Sequence, residues 1–371
     1  MFRYLFLILT FLPTITVAQL KISGKIINVN GKKSIANASV FLNNTGVGNK
    51  TTDDGSFTLR NVKPGQYDLI ISIVGYETYS QTILFNKDTI LNEISINPKT
   101  IELAEVKIKP DNNRERYYTQ FKRQFLGSTT NAAQCKILNP EFLDFQYDNN
   151  THILQASSYD FLKIENEALG YIIKYKLNAF IYNSDKGSVY YEGISVFEDM
   201  PGDASQIRKW QKRRQEAYRG SSMHFLRSII SNELTPQGFE VLKLTRKPNP
   251  EYAESSFNHK DKYIQSLIKQ PLSINDFVKR TTKPGIYALD FSDCLYIMYN
   301  KKLSGTSGDI FLQHDMPDYA TTIATLNEQA YAFFDNNGII ANPRSITFEG
   351  DWSIYRFAEM LPVDYEPRPT K

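Results

Sequence analysis

Between residues 20 and 108 the chain repeats one pattern: short runs in which apolar and polar residues alternate, each closed by a turn signal. No other feature restricts the fold as much. A period-two run puts one face into a core and the other into solvent, and runs this short are stable only when paired and stacked. The runs fall at 20–27, 38–42, 56–59, 66–73, 79–85, 90–96 and 102–108. A set of about seven short strands spaced by turns argues for a β-sandwich. The turns have their own chemistry. Asp54-Gly55 supplies the positive φ of a tight hairpin. Pro64-Gly65 fits a type II turn, with the glycine in the left-handed position. Gly75, between Val74 and Tyr76, marks a bend or bulge at a strand end. The acidic pair Asp53 and Asp54 belongs to the hairpin turn rather than to a calcium loop, because no further oxygen ligands follow at loop spacing.

Residues 1–19 have the layout of an export signal: Arg3, then an apolar stretch from Leu5 to Leu12 broken by Pro13, then Thr16-Val17-Ala18 as a cleavage site. Cleavage is expected after Ala18. A membrane anchor needs ~20 apolar residues, and Pro13 and Thr14 interrupt the stretch too early. No cysteine follows the cleavage site, so a lipoprotein anchor is not expected. No later run is long and apolar enough to span a bilayer. The expected location is the periplasm or outer envelope, with the mature protein soluble there.

The runs Thr51-Thr52-Asp53-Asp54-Gly55-Ser56-Phe57-Thr58-Leu59, Val62-Lys63-Pro64-Gly65-Gln66-Tyr67-Asp68-Leu69 and Ser72-Ile73-Val74-Gly75-Tyr76-Glu77 resemble the carboxypeptidase-like regulatory domain. The resemblance covers about residues 20–108 and implies an all-β, immunoglobulin/transthyretin-like sandwich. It further implies a module found at the N-terminus of exported envelope proteins, which accompanies many activities and catalyses none by itself. The expected layout is a signal peptide at 1–18, the sandwich at 19–108, a linker and helix at 109–128, and an uncharacterised α+β domain at 129–371. That domain is expected to hold an antiparallel β meander and amphipathic helices.

Composition excludes several classes. The net charge is +3, from 43 basic and 40 acidic side chains, too balanced for nucleic-acid binding through the field of the whole molecule. The two cysteines, Cys135 and Cys294, fit no metal spacing; one bridge and two separate buried thiols are both open readings. The four histidines, His152, His224, His259 and His314, stand far apart. None has Glu three residues later, where Gln155, Arg227, Lys262 and Pro317 stand instead, so the zinc motif of a metallocarboxypeptidase is missing. No catalytic residue, metal site or cofactor is expected.

Past the sandwich, Asp111 or Asn112 is placed to cap a helix carrying Tyr117, Tyr118, Phe121 and Phe125 at helical spacing, with Gly127 as its stop. Strands are expected at 142–147, 152–158, 169–182 and 188–197, with turns at Asp148-Asn149-Asn150, Glu165-Asn166-Glu167 and Asp185-Lys186-Gly187. Residues 205–231 give the strongest helical signal. At 100° per residue, Ile207, Trp210, Ala217, Tyr218, Phe225 and Ile229 share an apolar side, while Arg208, Lys209, Lys212, Arg213, Arg219 and Arg227 spread over a solvated basic one. Gly220-Ser221-Ser222 can split this segment into two helices. Arg214 falls on the apolar side near that junction, where its charge must be paired or reach water. Arg213, Arg214, Tyr218 and His224 are therefore the candidate binding or structural-polar residues. Further strands are expected at 239–245, 287–290 and 294–300, a polar stretch at 247–270, a glycine-rich turn at 304–308, and a terminal hairpin from 330–334 to 345–348 around Asn337-Gly338. The Ser266-Leu267-Ile268-Lys269 pattern lacks the partner motifs of a nucleophilic site and is chance.

These features lead to a non-enzymatic exported envelope protein, whose sandwich spaces or docks the larger domain onto an envelope or outer-membrane protein or a glycan. The alternative is an exported hydrolase acting on glycans or peptides through carboxylates far apart in sequence.

Overall fold

A computed structural model describes residues 20–99, 113–252, 262–303, 318–327 and 331–368. The export signal and its cleavage site, the strand expected at 102–108, the caps Asp111 and Asn112, and the glycine-rich turn at 304–308 lie outside the described residues.

The first unit is a two-layer sandwich. Its strands are β1 (Leu20–Asn28), β2 (Ser39–Leu42), β3 (Gly48–Lys50), β4 (Ser56–Val62), β5 (Gly65–Ser72), β6 (Tyr79–Phe85) and β7 (Thr89–Ile96). One sheet has the order β4-β1-β7, with β1 and β7 parallel; the other has the order β3-β2-β5-β6. The alternation reads through to the core, where Ile22, Ile26, Val40, Leu42, Leu69, Ile71 and Phe85 are buried between the layers. Two turn expectations change. Gly55 has a positive φ of 78°, but the turn joins β3 to β4 across the two layers instead of closing a hairpin within one sheet. A side chain there would meet the Ile26 carbonyl oxygen at 2.5 Å. Gly65 is not left-handed, so Pro64-Gly65 is not a type II turn. Gly65 is already the first residue of β5, paired with Phe85, and a Cβ there would lie 3.2 Å from the Tyr67 ring.

Helix α1 (Arg114–Leu126) follows, with Asn113 at its cap position and Gly127 (φ 99°) ending it. Phe121 and Phe125 are fully buried, and Phe125 stacks on Phe357 at 4.6 Å. They pack on a six-stranded antiparallel sheet made of β8 (Cys135–Ile137), β9 (Leu143–Asp148), β10 (Ile153–Ser158), β11 (Leu162–Asn166), β12 (Tyr171–Asn183) and β13 (Ser188–Asp199). The hairpins β9–β10 and β12–β13 are those of a meander. Between them the order departs from sequence, because β12 is 13 residues long and takes two partners end to end on one edge. β11 pairs with Tyr171 to Tyr175, and β10 with Phe180 to Asn183. The turn expected at Glu165-Asn166-Glu167 lies later, at 167–170, since β11 runs on through the buried Asn166.

The segment 205–231 is two helices, α2 (Ala204–Tyr218) and α3 (Ser222–Ile230). Asp203 opens α2 with a capping box to Gln206. Gly220, with φ 79°, breaks the chain, and the Ser221 side chain caps α3. That break resets the helical phase. Arg227, expected on the solvated face, is half-buried, and Ile207, expected on the apolar side, is 41% exposed.

The remainder builds two further sheets. β14 (Phe239–Pro248), β15 (Tyr263–Ile268), β18 (Cys294–Leu303), β19 (Tyr319–Leu326) and β21 (Ile346–Gly350) form one, in the order β15-β14-β18-β19-β21. β16 (Val278–Arg280), β17 (Ile286–Leu289) and β20 (Ala332–Asp335) form the other. The polar stretch 247–270 thus contains β15, an edge strand that leaves Ile264 and Ile268 exposed. The terminal hairpin does not form: β20 and β21 belong to different sheets, and the arm returning from Asn337-Gly338 is 339–341, with Ala341 donating to the Phe333 carbonyl at 2.8 Å. Cys135 and Cys294 are separate buried thiols in different cores. Among the described residues no helix is long and apolar enough to cross a membrane.

The sandwich is joined to the rest of the chain by backbone pairing. The loop after β2 carries Asn43-Asn44-Thr45. Asn44 N–H donates to the Ser195 carbonyl (2.8 Å), Phe197 N–H to the Thr45 carbonyl (2.9 Å), and Val363 N–H to the Asn44 carbonyl (2.7 Å). Asn44 holds φ at 57°, a conformation asparagine tolerates better than most residues. Val363 completes the sandwich core; among the described residues every other buried side chain of that core comes from residues 20–96.

Candidate functional site

Of the four residues expected to bind or to pair, Arg213 and Arg214 sit on the face of α2 that meets the 167–170 turn. Arg214 is 14% exposed. Its Nε donates to the Leu169 carbonyl (2.7 Å) and its Nη2 to the Gly170 carbonyl (3.0 Å) and to Asp199 Oδ1 (2.7 Å), while the guanidinium lies 3.7 Å from the centre of the Tyr171 ring. Arg213 is held more lightly, donating to Gln134 Oε1 at 2.9 Å and to the Ala168 carbonyl at 3.5 Å. These are structural contacts, and neither residue lines the two cavities beside the α2–α3 junction.

Tyr218 and His224 meet at the α2–α3 junction, rings 4.8 Å apart. Gly220 N–H donates to His224 Nδ1 (3.1 Å), so the proton is on Nε2 and is donated to Gln237 Oε1 (3.1 Å). Burial pushes the His224 pKa below its ordinary value, and Lys301, Arg219 and Arg227 nearby push the same way; the Gln237 bond opposes them. Arg227 has a different role. Its guanidinium donates to three carbonyls, those of Asn337 (2.8 Å), Tyr365 (2.8 Å) and Val363 (2.7 Å). It thereby ties the C-terminal segment in the position where Val363 reaches the sandwich.

A cavity of about 500 Å³ opens beside this junction, within the size range of small-molecule sites. Its walls come from α2 and α3, the 129–131 segment, β13, β18, the 352–363 segment, and Asn44 of the sandwich. Three cations line it: Arg219, Lys302 and Arg356. Lys302 Nζ lies 4.3 Å from the centre of the Tyr355 ring and donates to the Tyr355 hydroxyl. Arg356 lays its stem against Gly127, where a Cβ would approach its Cβ to 3.1 Å. Burial pushes its pKa below the ordinary value, with the Tyr191 and Tyr182 hydroxyls acting the other way. Its guanidinium makes no hydrogen bond or ion pair among the described residues. Burial raises the Tyr191 hydroxyl to about 12, so it stays protonated. Two carboxylates line the cavity. Glu359 spends one oxygen on the Thr129 hydroxyl (2.6 Å) and the other on Asn131 Nδ2 (2.7 Å), and Glu216 lies 3.9 Å from Lys212. Ser222 and Met223, the first residues of α3, also line it. The balance of charge is positive, and among the described residues no group of three or more His, Cys, Asp or Glu is arranged to hold a metal. Lys302, Arg356 and Glu359 were not singled out from the sequence. Each is ordinary in its local context and is brought to the cavity from more than a hundred residues away from Thr129 or Tyr191.

Residues 22–108 match the family model of the CarboxypepD_reg-like domain, and the sandwich described above is that domain. The chain is thus a β-rich protein with a carboxypeptidase-regulatory-like domain at its N-terminal end. None of the curated protein sequences matches the chain. Among solved structures it is similar to a chain of a type II cohesin–X-dockerin complex from Acetivibrio cellulolyticus, at 21% identity and a TM-score of 0.19, over 20% of this chain and 52% of that one. The chain therefore spans about half of that relative's length. It is also similar to two DUF3823 family proteins. The one from Bacteroides ovatus matches at 12% identity and TM-score 0.17, over 50% and 83% of the two chains. The one from Bacteroides uniformis matches at 8% and 0.17, over 85% and 99%. Superpositions this loose bear on neither ligand nor partner.

Proposed function

We propose that this chain is an exported, non-enzymatic cell-envelope protein that holds an anionic ligand in the cleft at the α2–α3 junction, with its sandwich docking the assembly to an envelope partner or glycan. Arg356 carries the reading. A half-buried guanidinium facing a cavity, with no carboxylate or carbonyl partner among the described residues, is a group that an anion would pair. Lys302 and Arg219 add positive potential to the same space, and the N-terminal end of α3 stands in its wall. Export rests on residues 1–19 and the envelope setting on the N-terminal domain. A hydrolase would need two carboxyls free to act across the cleft; Glu359 has both oxygens engaged, which supports binding over catalysis.

Calorimetric titration of the mature protein with glucuronate, inorganic phosphate and glucose tests this. The anions are expected to bind, more weakly as salt rises, and glucose is not. Arg356→Gln should reduce anion affinity about tenfold or more, the order of one charge-assisted hydrogen bond. Equal binding of glucose and glucuronate, or an unchanged affinity in Arg356→Gln, would overturn the reading.

A further inference from the structure

The cavity beside Arg356 does not end at the junction. A second cavity, of about 740 Å³, lies beside the C-terminal end of α2. The two share Glu216, Arg219 and Lys302 in their walls, so they adjoin, and a ligand reaching past these three side chains would touch both chambers of the groove. The second chamber adds its own cations, Lys301 and Arg368. Lys301 Nζ donates to the Pro236 carbonyl, and neither Lys301 nor Arg368 has a carboxylate partner among the described residues. Along the groove five cations therefore face two carboxylates, Glu216 and Glu359. Aromatic rings line both chambers: the half-buried Trp352 and Tyr355 in the first, and in the second Tyr218 and Tyr299, which are largely covered by their neighbours.

We infer that the groove takes an anionic oligosaccharide, with acidic groups on separate sugar units lodged in the two chambers. This rests on the anion-binding reading above and deepens it. Each chamber falls within or near the ~300–1,000 Å³ that a single small ligand fills, so a single small anion leaves one of them unused. A bare polyphosphate would meet the cations and leave the rings uncovered. Sugar rings have C–H faces for the aromatic walls and hydroxyls for the amide and hydroxyl side chains between them, such as Asn44, Thr130 and Gln215. Carboxylated and sulfated sugars share this chemistry.

The test is binding of mono-, di- and tetragalacturonate, a sulfated tetrasaccharide of similar length, and polyglutamate to the mature protein, with Arg356→Gln and Arg368→Gln. Arg368 is exposed and its side chain holds nothing in place, so that variant keeps the fold. Joining two subsites on one ligand raises affinity through effective concentration. The tetramer is expected to bind at least tenfold tighter than the monomer. Arg368→Gln should erase much of that gain and leave the monomer unaffected, and Arg356→Gln should weaken both. Preference between the tetragalacturonate and the sulfated chain identifies the acidic group. Tetramer and monomer binding equally, or Arg368→Gln without effect on the tetramer, overturns the two-chamber inference and leaves the anion cleft standing. Polyglutamate binding tighter than either sugar overturns the assignment to a glycan. If none of these anions binds, the cleft reading and the inference fall together.

Discussion

Arg227 is the residue whose removal should disturb the most structure for a single substitution. Its guanidinium reaches the carbonyls of Asn337, Val363 and Tyr365 at 2.7–2.8 Å, and through Val363 it positions the strap that pairs with Asn44 and fills the sandwich core. A hydrogen bond to a charged group contributes about 1.5–3 kcal/mol. Three of them do not add fully, because the half-buried Tyr365 carbonyl recovers water once the strap loosens. Arg227→Ala is therefore expected to cost about 3–5 kcal/mol, while Arg227→Lys, which cannot span three acceptors with one ammonium, costs about 1–2 kcal/mol. Urea denaturation followed by tryptophan fluorescence measures the loss, since Trp352 lies in the same strap region and donates to the Gly220 carbonyl. Limited proteolysis should show earlier cutting after residue 360 in the Ala variant. An Arg227→Ala protein within about 0.5 kcal/mol of the parent, the range of an ordinary surface substitution, would show that the strap is held by packing alone and that the clamp has no energetic role.

Two further outcomes come from the same geometry. Arg214→Ala should cost about 2–4 kcal/mol, because it leaves the Leu169 carbonyl without its donor and Asp199 without its cation, and Arg213→Ala under about 1 kcal/mol, because it gives up one bond to a neutral amide and a long one to the Ala168 carbonyl; equal melting temperatures for the two variants would contradict this. His224 is held below its ordinary pKa of 6.5 by burial, so the unfolded chain binds its proton more readily than the folded one. Its contribution to stability is complete above pH 6.5 and is lost as pH falls through the folded value. Compared with His224→Gln, the parent should lose more stability between about pH 7.5 and 5; Asp335 and Asp364, whose carboxyls burial pushes up, are present in both proteins and cancel in the difference. Parallel stability curves would refute the assignment.

The sequence by itself determined the features written in short-range periodicity. Alternation placed β1, β2 and β4 to β7, and the aromatic stripe of α1 placed Phe121 and Phe125 in a core. Gly220-Ser221 marked the break between α2 and α3, because glycine admits the positive φ there and serine caps the second helix. β3, β8 and β11 carry too few alternations to stand out, and each is paired along a strand longer than itself. The role of Arg227 was not legible for a specific reason: a helical wheel drawn through Gly220 continues a phase that the backbone abandons. Tertiary structure alone decided the docking of Asn44 on β13, the strap through Val363, and the groove itself. Those features join residues separated by 150 to more than 300 positions. A local pattern records which face of its own element is apolar, and it holds no record of which distant cation will be left without a partner when the elements close around a cavity.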